Sequence, residues 1–178
     1  KHCGTFGHIA AISFNGNKTV TTGGGGALLT NDKQFAERAK HLSTTAKVTH
    51  PWLYIHDEVG FNYRMPNINA ALGCAQIENL EKFIIEKRQL ASNYIKAFEN
   101  VDGVSVFTET EYVESNYWLN AIIIESSDIE LRDEILELLN SKNYMSRPVW
   151  TLLHKLKPYQ NMPCMDDISI AERIETTL

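Results

Sequence analysis

The feature that most constrains this chain is a run of four consecutive glycines at positions 23–26, which begins five residues after Lys18. The run lies between two short apolar segments, 9–14 and 27–29. Consecutive glycines give up side-chain packing and lose more conformational entropy on folding than other residues. Such a run is tolerated where the backbone has to approach a ligand or another chain closely. The segment therefore predicts a binding loop.

The lysine and the glycines have three possible interpretations. A nucleotide-binding P-loop requires Gly-x-x-x-x-Gly-Lys-Ser/Thr, in which the glycines precede the lysine. Here they follow it, which excludes a P-loop. The other two interpretations are a tight turn beside a solvated lysine, and a lysine that forms a Schiff base with a cofactor aldehyde. If the lysine forms a Schiff base, nearby hydroxyls would bind the cofactor phosphate. The segment offers the hydroxyls of Ser13, Thr19, Thr21 and Thr22.

Three ordered blocks of the chain narrow this choice. The first combines Ser-Phe at 13–14, Lys18 and Thr-Thr-Gly-Gly-Gly-Gly at 21–26. The second reads Gly-Phe-Asn-Tyr-Arg-Met-Pro from position 60, and the third reads Arg-Pro-Val-Trp-Thr-Leu-Leu-His over 147–154. Together they resemble the sugar aminotransferases of the DegT/DnrJ/EryC1/StrS family, with Gly24 where a glutamate is common. Three blocks at family-like spacing favour the Schiff-base interpretation.

The resemblance implies an α/β fold that forms the later part of a fold-type I transferase dependent on pyridoxal 5′-phosphate (PLP). That part consists of the end of the large parallel-sheet domain and a small C-terminal α/β domain. The resemblance also implies that Lys18 is the catalytic residue and carries PLP. Ser13 and Asn62 are implied ligands of the PLP phosphate, Asn62 acting from a neighbouring subunit of a homodimer with shared active sites. The implied substrate-binding residues are Tyr63, Arg64, Arg147 and His154.

Five of these residues also have a structural interpretation. Serine is a residue type that caps turns, and asparagine is a residue type of tight loops, so Ser13 and Asn62 suit either role. Tyr63 and Arg64 equally suit bracing of their own loop. His154 equally suits an exposed surface, since Lys-Leu-Lys-Pro-Tyr follows it.

Position 18 is lysine and not the histidine of the related sugar dehydratases, which favours transamination. The resemblance implies transfer of an amino group from glutamate to a nucleotide-linked 4-keto-6-deoxy sugar, in the biosynthesis of surface polysaccharide or glycan. The block from position 60 is most similar to members that make UDP-linked amino sugars for nonulosonic acids of the legionaminic type. The alternative is a non-catalytic fragment, or a sugar-nucleotide-binding module without a complete PLP site. The opening Lys-His-Cys and the helical pattern at the last residues lead us to expect a piece of a longer protein.

Composition excludes several classes of partner. The 178 residues carry a net charge of −5, and lysine and arginine are scattered, which argues against a nucleic-acid partner. No apolar run approaches membrane-spanning length. Three widely spaced cysteines do not suggest a disulfide framework, and a cytoplasmic location is expected. The spacing of His2, Cys3 and His8 matches no zinc pattern, so no metal site is expected.

The periodicity of apolar residues predicts the elements. Strands are expected at 9–14 (buried), 27–30, 104–107, 117–125 and 144–149. Helices are expected at 33–43 with an Asn31-Asp32 cap, and at 129–140, near 152–156 and from 167. The region 67–100 is expected to form either two helices or one helix bent near 79–81, with a cap at Asn67 or Asn69. The long loop over 44–66 is expected to contact a dimer partner. The predicted division is 1–66, the incomplete end of the large PLP-binding domain; 67–100, connecting helices; and 101–178, the small C-terminal domain.

Overall fold

A computed structural model describes residues 1–126 and 128–177. The chain divides into two compact units, Lys1–Glu86 and Lys87–Leu178. The three-part division given by the sequence remains a prediction. Among the described residues, no helix has the length and apolar character needed to cross a membrane. The described residues form five α-helices and four β-strands: β1 (Ala10–Ser13), β2 (Gly26–Leu29), α1 (Lys33–Ser43), α2 (Asn67–Glu78), α3 (Leu80–Phe98), β3 (Val104–Val106), β4 (Ile122–Ile124), α4 (Ile129–Ser141) and α5 (Ser169–Thr177).

The first unit begins with an antiparallel ribbon. Strands β1 and β2 pair in a register that sets Ala10 opposite Leu29 and Ser13 opposite Gly26. Both predicted strands are confirmed, but the prediction that the first is buried is wrong. Ile12 and Leu28 are exposed in this chain, because the pair forms a two-stranded ribbon that no further described strand extends.

Helix α1 has the predicted bounds. The Asp32 carboxylate accepts the backbone N–H groups of Gln34 and Phe35, at 2.7 and 3.3 Å, which satisfies two N–H groups that have no partner inside the helix. The expected cap at Asn31-Asp32 is therefore confirmed, and Asp32 is the capping residue.

The long helical region was expected to be two helices or one bent helix, and it is two helices separated at Asn79. The predicted N-cap of α2 is wrong. Pro66 occupies the capping position, without a side-chain hydrogen bond, and Asn67 lies inside the helix. The Asn69 side chain is directed elsewhere, since its amide donates to the Thr22 carbonyl.

The second unit contains the antiparallel pair β3 and β4, with Val104 opposite Ile124, together with α4 and α5. Helix α4 confirms the prediction for 129–140. The helix predicted near 152–156 is a 3₁₀ turn, Leu153–Lys155, and a second 3₁₀ turn follows at Lys157–Tyr159. The helix predicted from 167 begins at Ser169, and Asp167 accepts its backbone N–H at 3.0 Å.

Two strand predictions in this unit are corrected. The strand expected at 117–125 is reduced to Ile122–Ile124, because Tyr117 has a positive φ of 44° and its N–H is bound by the Ser115 hydroxyl. The strand expected at 144–149 is not formed in the described chain. Its Ser146 carbonyl accepts from the Asn140 side chain at 3.1 Å, so this segment is tied to the end of α4.

An ion pair joins α3 to the loop after β3. Arg88 Nη1 and Nη2 donate to the two carboxylate oxygens of Glu109, at 3.0 and 2.5 Å. The same guanidinium donates to the Ser115 carbonyl at 2.6 Å and lies 5.4 Å from the ring centre of Tyr117. Hydrogen bonds lower the pKa of Glu109 from its ordinary 4.5 to about 2. The hydrogen bond from Arg88 has the largest effect, and the hydrogen bond from the Ser115 N–H has the next largest.

This depressed pKa predicts an acid-sensitive contribution to stability. The contribution is present above pH 4.5, and it is lost as the pH falls from 4.5 towards 2, where the folded state also takes up the proton. We expect Glu109→Gln to lower the urea midpoint of unfolding at pH 7. The gap between the midpoints of variant and wild type should narrow as the pH falls from 4.5 to 2. Glu111→Gln, at an exposed position two residues along, is the control and should track the wild type. A gap that stays constant across this range would contradict the prediction.

Candidate active site

Lys18 lies in the loop that connects β1 to β2. A turn brings its backbone N–H to the Asn15 carbonyl at 3.0 Å, and its side chain is half-buried. Ser13 ends β1, and its exposed hydroxyl oxygen accepts the Asn15 N–H at 3.3 Å. A hydroxyl that accepts a hydrogen bond keeps its own hydrogen to donate. The structure thus places the amine-bearing residue and the predicted phosphate ligand on one connected turn.

The downstream half of this loop returns to the strand end. Phe14 accepts the Thr22 N–H at 3.0 Å and the Thr21 hydroxyl at 3.2 Å through its carbonyl, and its own N–H donates to the Gly25 carbonyl at 3.0 Å. Gly23 and Gly25 have φ values of 79° and 94°, in the left-handed region that favours glycine. The glycine run therefore closes a loop whose two ends are joined at Phe14.

The residues of α2 that contact this loop were not predicted from the sequence. Asn69 and Gln76 bind the backbone of residues 21–22, and Gly73 packs against the buried Thr22 side chain. The signal was present as a spacing of i, i+4 and i+7, which puts the three residues on one face of a helix. From the sequence alone, Asn69 is instead one of two candidate caps of α2.

Asn62 lies on the segment that leads into α2. It forms an isolated antiparallel bridge with Thr44, and the next residue, Tyr63, donates its N–H to the Ser43 carbonyl at 3.0 Å. Gly60 fits here because a Cβ at this position would lie under 3.0 Å from the backbone of Ala46, which is fully buried. The Asn62 side chain itself is exposed, on a backbone that is fixed to the end of α1.

The predicted substrate-binding residues are distributed over both units. In the first unit Tyr63 stacks on Phe61, with ring centres 5.2 Å apart and planes at 10°, and Arg64 is exposed. In the second unit Arg147 is exposed, and the half-buried His154 lines a mainly apolar cavity of about 460 Å³. Tyr159 and Cys164 also line this cavity, which Arg147 does not reach.

An ion-pair cluster ties the 44–61 segment to α1. His41 Nε2 lies 2.7 Å from Asp57 Oδ1 and 3.5 Å from Glu58 Oε1, and Arg38 Nη2 donates to Glu58 Oε2 at 2.7 Å. The bond to His41 lowers the pKa of Asp57, and the bond to Arg38 lowers the pKa of Glu58. The side chains of His41, Asp57 and Glu58 are close enough together to hold a metal ion. Their carboxylates are already bound by the guanidinium and the imidazole, which identifies the cluster as an ion-pair network.

The comparisons with known proteins agree on a class. The fold matches that of Helicobacter pylori PseC, an aminotransferase involved in the biosynthesis of pseudoaminic acid, with a TM-score of 0.89 at 21% identity, over 99% of this chain and 48% of that one. The chain thus has the fold of the later part of a fold-type I PLP-dependent aminotransferase. The profile of the DegT/DnrJ/EryC1/StrS aminotransferase family matches residues 1–177, and the chain belongs to this family.

Two relatives carry the same name. The chain is 39% identical over 172 residues to a GDP-perosamine synthase of Escherichia coli O157:H7, covering 94% of this chain and 46% of the relative. It is 34% identical over 162 residues to a GDP-perosamine synthase of Vibrio cholerae, covering 91% of this chain and 44% of the relative. The chain spans about half the length of the curated relatives it matches.

PLP is the cofactor of this family, and the loop between β1 and β2 (residues 14–25, here called the lysine loop) suits it. The Thr19 Oγ1 atom, next to Lys18, is buried and has no hydrogen-bond partner among the described residues. A buried hydroxyl without a partner costs free energy, which a polar ligand would recover. An amine is the group that condenses with an aldehyde, and hydroxyl groups such as that of Ser13 can donate to a phosphate. The residues of this loop therefore fit PLP.

Proposed function

We propose that the full-length protein is a PLP-dependent aminotransferase that moves an amino group from glutamate to the keto group of a nucleotide-linked deoxy sugar. The products would serve surface polysaccharide or glycan synthesis in the cytoplasm. One observation carries this proposal: Lys18 is half-buried on a loop that is joined at both ends to Phe14 and bounded by glycines. A solvated surface lysine would not need such a loop.

In this proposal Lys18 has two roles. Its Nζ amine would hold the cofactor, and the same amine would carry the proton of the amino-bearing carbon. When bound, PLP supplies an aldehyde and an electron-accepting ring. Ser13 and Asn62 bind the phosphate through a hydroxyl and an amide. Tyr63, Arg64, Arg147 and His154 are the proposed contacts to the sugar nucleotide, with the arginines suited to its diphosphate.

The relatives favour a GDP-linked sugar. The 39% and 34% identical proteins are both GDP-perosamine synthases, whereas a transaminase named for a UDP-linked amino sugar is 28% identical. We therefore propose GDP-perosamine as the product, with the UDP-linked sugar suggested by the sequence as its competitor.

The test runs the reaction in reverse with purified full-length protein. GDP-perosamine and 2-oxoglutarate are supplied, and the exchange of amino group for keto oxygen is followed as glutamate formed. We expect turnover with GDP-perosamine and at least about tenfold lower kcat/KM with a UDP-linked 4-amino sugar. Faster turnover of the UDP sugar would overturn the nucleotide assignment. Bound sugar without transfer from either donor would instead indicate a binding module.

The proposal includes a homodimer whose subunits share active sites. Several large apolar or aromatic side chains of the 44–66 segment are exposed in the single chain, which supports an interface there. They are Trp52, Tyr54, Val59, Phe61 and Tyr63. Asn62 lies within the same segment, so an interface there would bring it to a partner subunit.

Mixed dimers test whether Asn62 acts across the interface. Lys18→Ala and Asn62→Asp proteins are each expected to be inactive, the second because a carboxylate repels a phosphate. When their subunits are exchanged at equal amounts, half of the dimers are mixed, and each mixed dimer has one intact site. We expect about a quarter of wild-type activity to return. If Asn62 serves the site of its own subunit, no activity will return.

A further inference from the structure

One face of α2 is built around Thr21 and Thr22, which follow Lys18 within the lysine loop. Asn69 Nδ2 donates to the Thr22 carbonyl at 2.6 Å, and Gln76 Oε1 accepts the Thr21 N–H at 3.3 Å. Between them in the helix, a Cβ added to Gly73 would lie 2.9 Å from Thr22 Cγ2. Thr22 is 2% exposed, so this contact is inside the unit.

The direction of both side-chain hydrogen bonds is fixed by their partners. A backbone carbonyl only accepts and a backbone N–H only donates, so Asn69 has to present its NH₂ group and Gln76 its oxygen. The two amides therefore have opposite chemical requirements. A carboxylate would preserve the Gln76 bond and eliminate the Asn69 bond.

These contacts complete the support of the lysine loop. On the strand side, Phe14 binds the backbone of Thr22 and Gly25. On the helix side, α2 binds Thr21 and Thr22 from their other hydrogen-bonding groups. Lys18 lies three residues before this double attachment, within the turn that begins at Asn15.

We propose that Asn69 and Gln76 are positioning residues, which hold Lys18 in place by fixing residues 21–22. The inference rests on the proposed role of Lys18. Reaction rates depend steeply on the placement of the reacting amine, and a displacement of about 1 Å can cost about 10²-fold. Loss of the Asn69 bond therefore slows the reaction of the Lys18 amine with an aldehyde while leaving the phosphate ligands in place.

The experiment measures how fast apo full-length protein attaches added PLP at Lys18. Borohydride is added at intervals, and the pyridoxyl-lysine peptide is quantified by mass spectrometry. We expect Asn69→Asp to slow attachment at least about tenfold and Gln76→Leu to slow it less, because the Gln76 bond is longer. Gln76→Glu, which still accepts the Thr21 N–H, should restore a rate within about threefold of wild type.

Asn79→Asp is the matched control. Asn79 also donates its side-chain NH₂ to a backbone carbonyl, that of Ala75 at 2.8 Å, but at the far end of α2. It should attach PLP at the wild-type rate. In turnover of GDP-perosamine, the Asn69→Asp protein should lose kcat about 10- to 100-fold with KM changed less than about threefold.

The outcomes separate the inference from the proposed function. If wild-type protein does not attach PLP at Lys18, the proposed function fails. If wild-type protein attaches PLP and Asn69→Asp attaches it equally fast, the positioning role is overturned. Equal slowing by Asn69→Asp and Asn79→Asp would also overturn it, because the effect would then follow helix stability and not the lysine loop.

Discussion

Replacement of Lys18 by alanine in the full-length protein is expected to lower amino transfer by about 10³-fold or more. Two functions are lost together, because the residue is proposed both to hold PLP and to move the proton. Lys18→Arg keeps the positive charge but should be equally inactive, since a guanidinium stays protonated and does not attack an aldehyde. The assay is glutamate formation from GDP-perosamine and 2-oxoglutarate, with PLP in excess.

Lys33→Ala is the control for loss of a lysine. The Lys33 side chain is 87% exposed on α1 and lies 3.6 Å from Glu37, in a surface pair that contributes little to stability. The activity of the Lys33→Ala protein should match that of wild type within about twofold. Near wild-type transfer by folded Lys18→Ala protein would refute the catalytic role and leave the structural interpretation of the turn.

The candidate site was predictable from sequence where its chemistry is local. Lys18 and Ser13 lie on one turn, so the order of residue types was enough to find them. The attachment of this turn to α2 was not predictable, because Asn69 and Gln76 bind residues that precede them by 47 and 55 positions in the chain. An asparagine near the start of a helix suits capping equally well, and only the fold decides between the two uses.

The helices and strands show the same difference between local and long-range interactions. Helix α1 was predicted with its bounds because its cap and its apolar period are both local. A strand at 144–149 would require a partner, and strand propensity depends on that context. The backbone of Ser146 is bound by the side chain of Asn140 instead. In 117–125, side-chain bonds from Ser115 and Asn116 turn the chain before β4 can begin.

The glycine run leads to a prediction of opposite effects at two of its members. Gly26 pairs with Ser13, and a Cβ there would lie under 3.0 Å from the Ile12 carbonyl oxygen, which is backbone and cannot rotate away. Gly26→Ala should therefore destabilise the protein by roughly 1–3 kcal/mol. The strain falls on the pairing that holds Ser13, so the affinity for PLP should fall as well.

Gly24→Ala is expected to do the reverse. No atom lies within 4 Å of a Cβ at Gly24, and its φ is outside the left-handed region. Alanine there restricts the unfolded chain without strain in the folded one, which should raise stability by about 0.4–1 kcal/mol. Urea unfolding and equilibrium dialysis of PLP measure the two effects on the full-length protein. Equal destabilisation by both alanines would mean that the run is required throughout for its flexibility, and not at Gly26 for the close approach of β1.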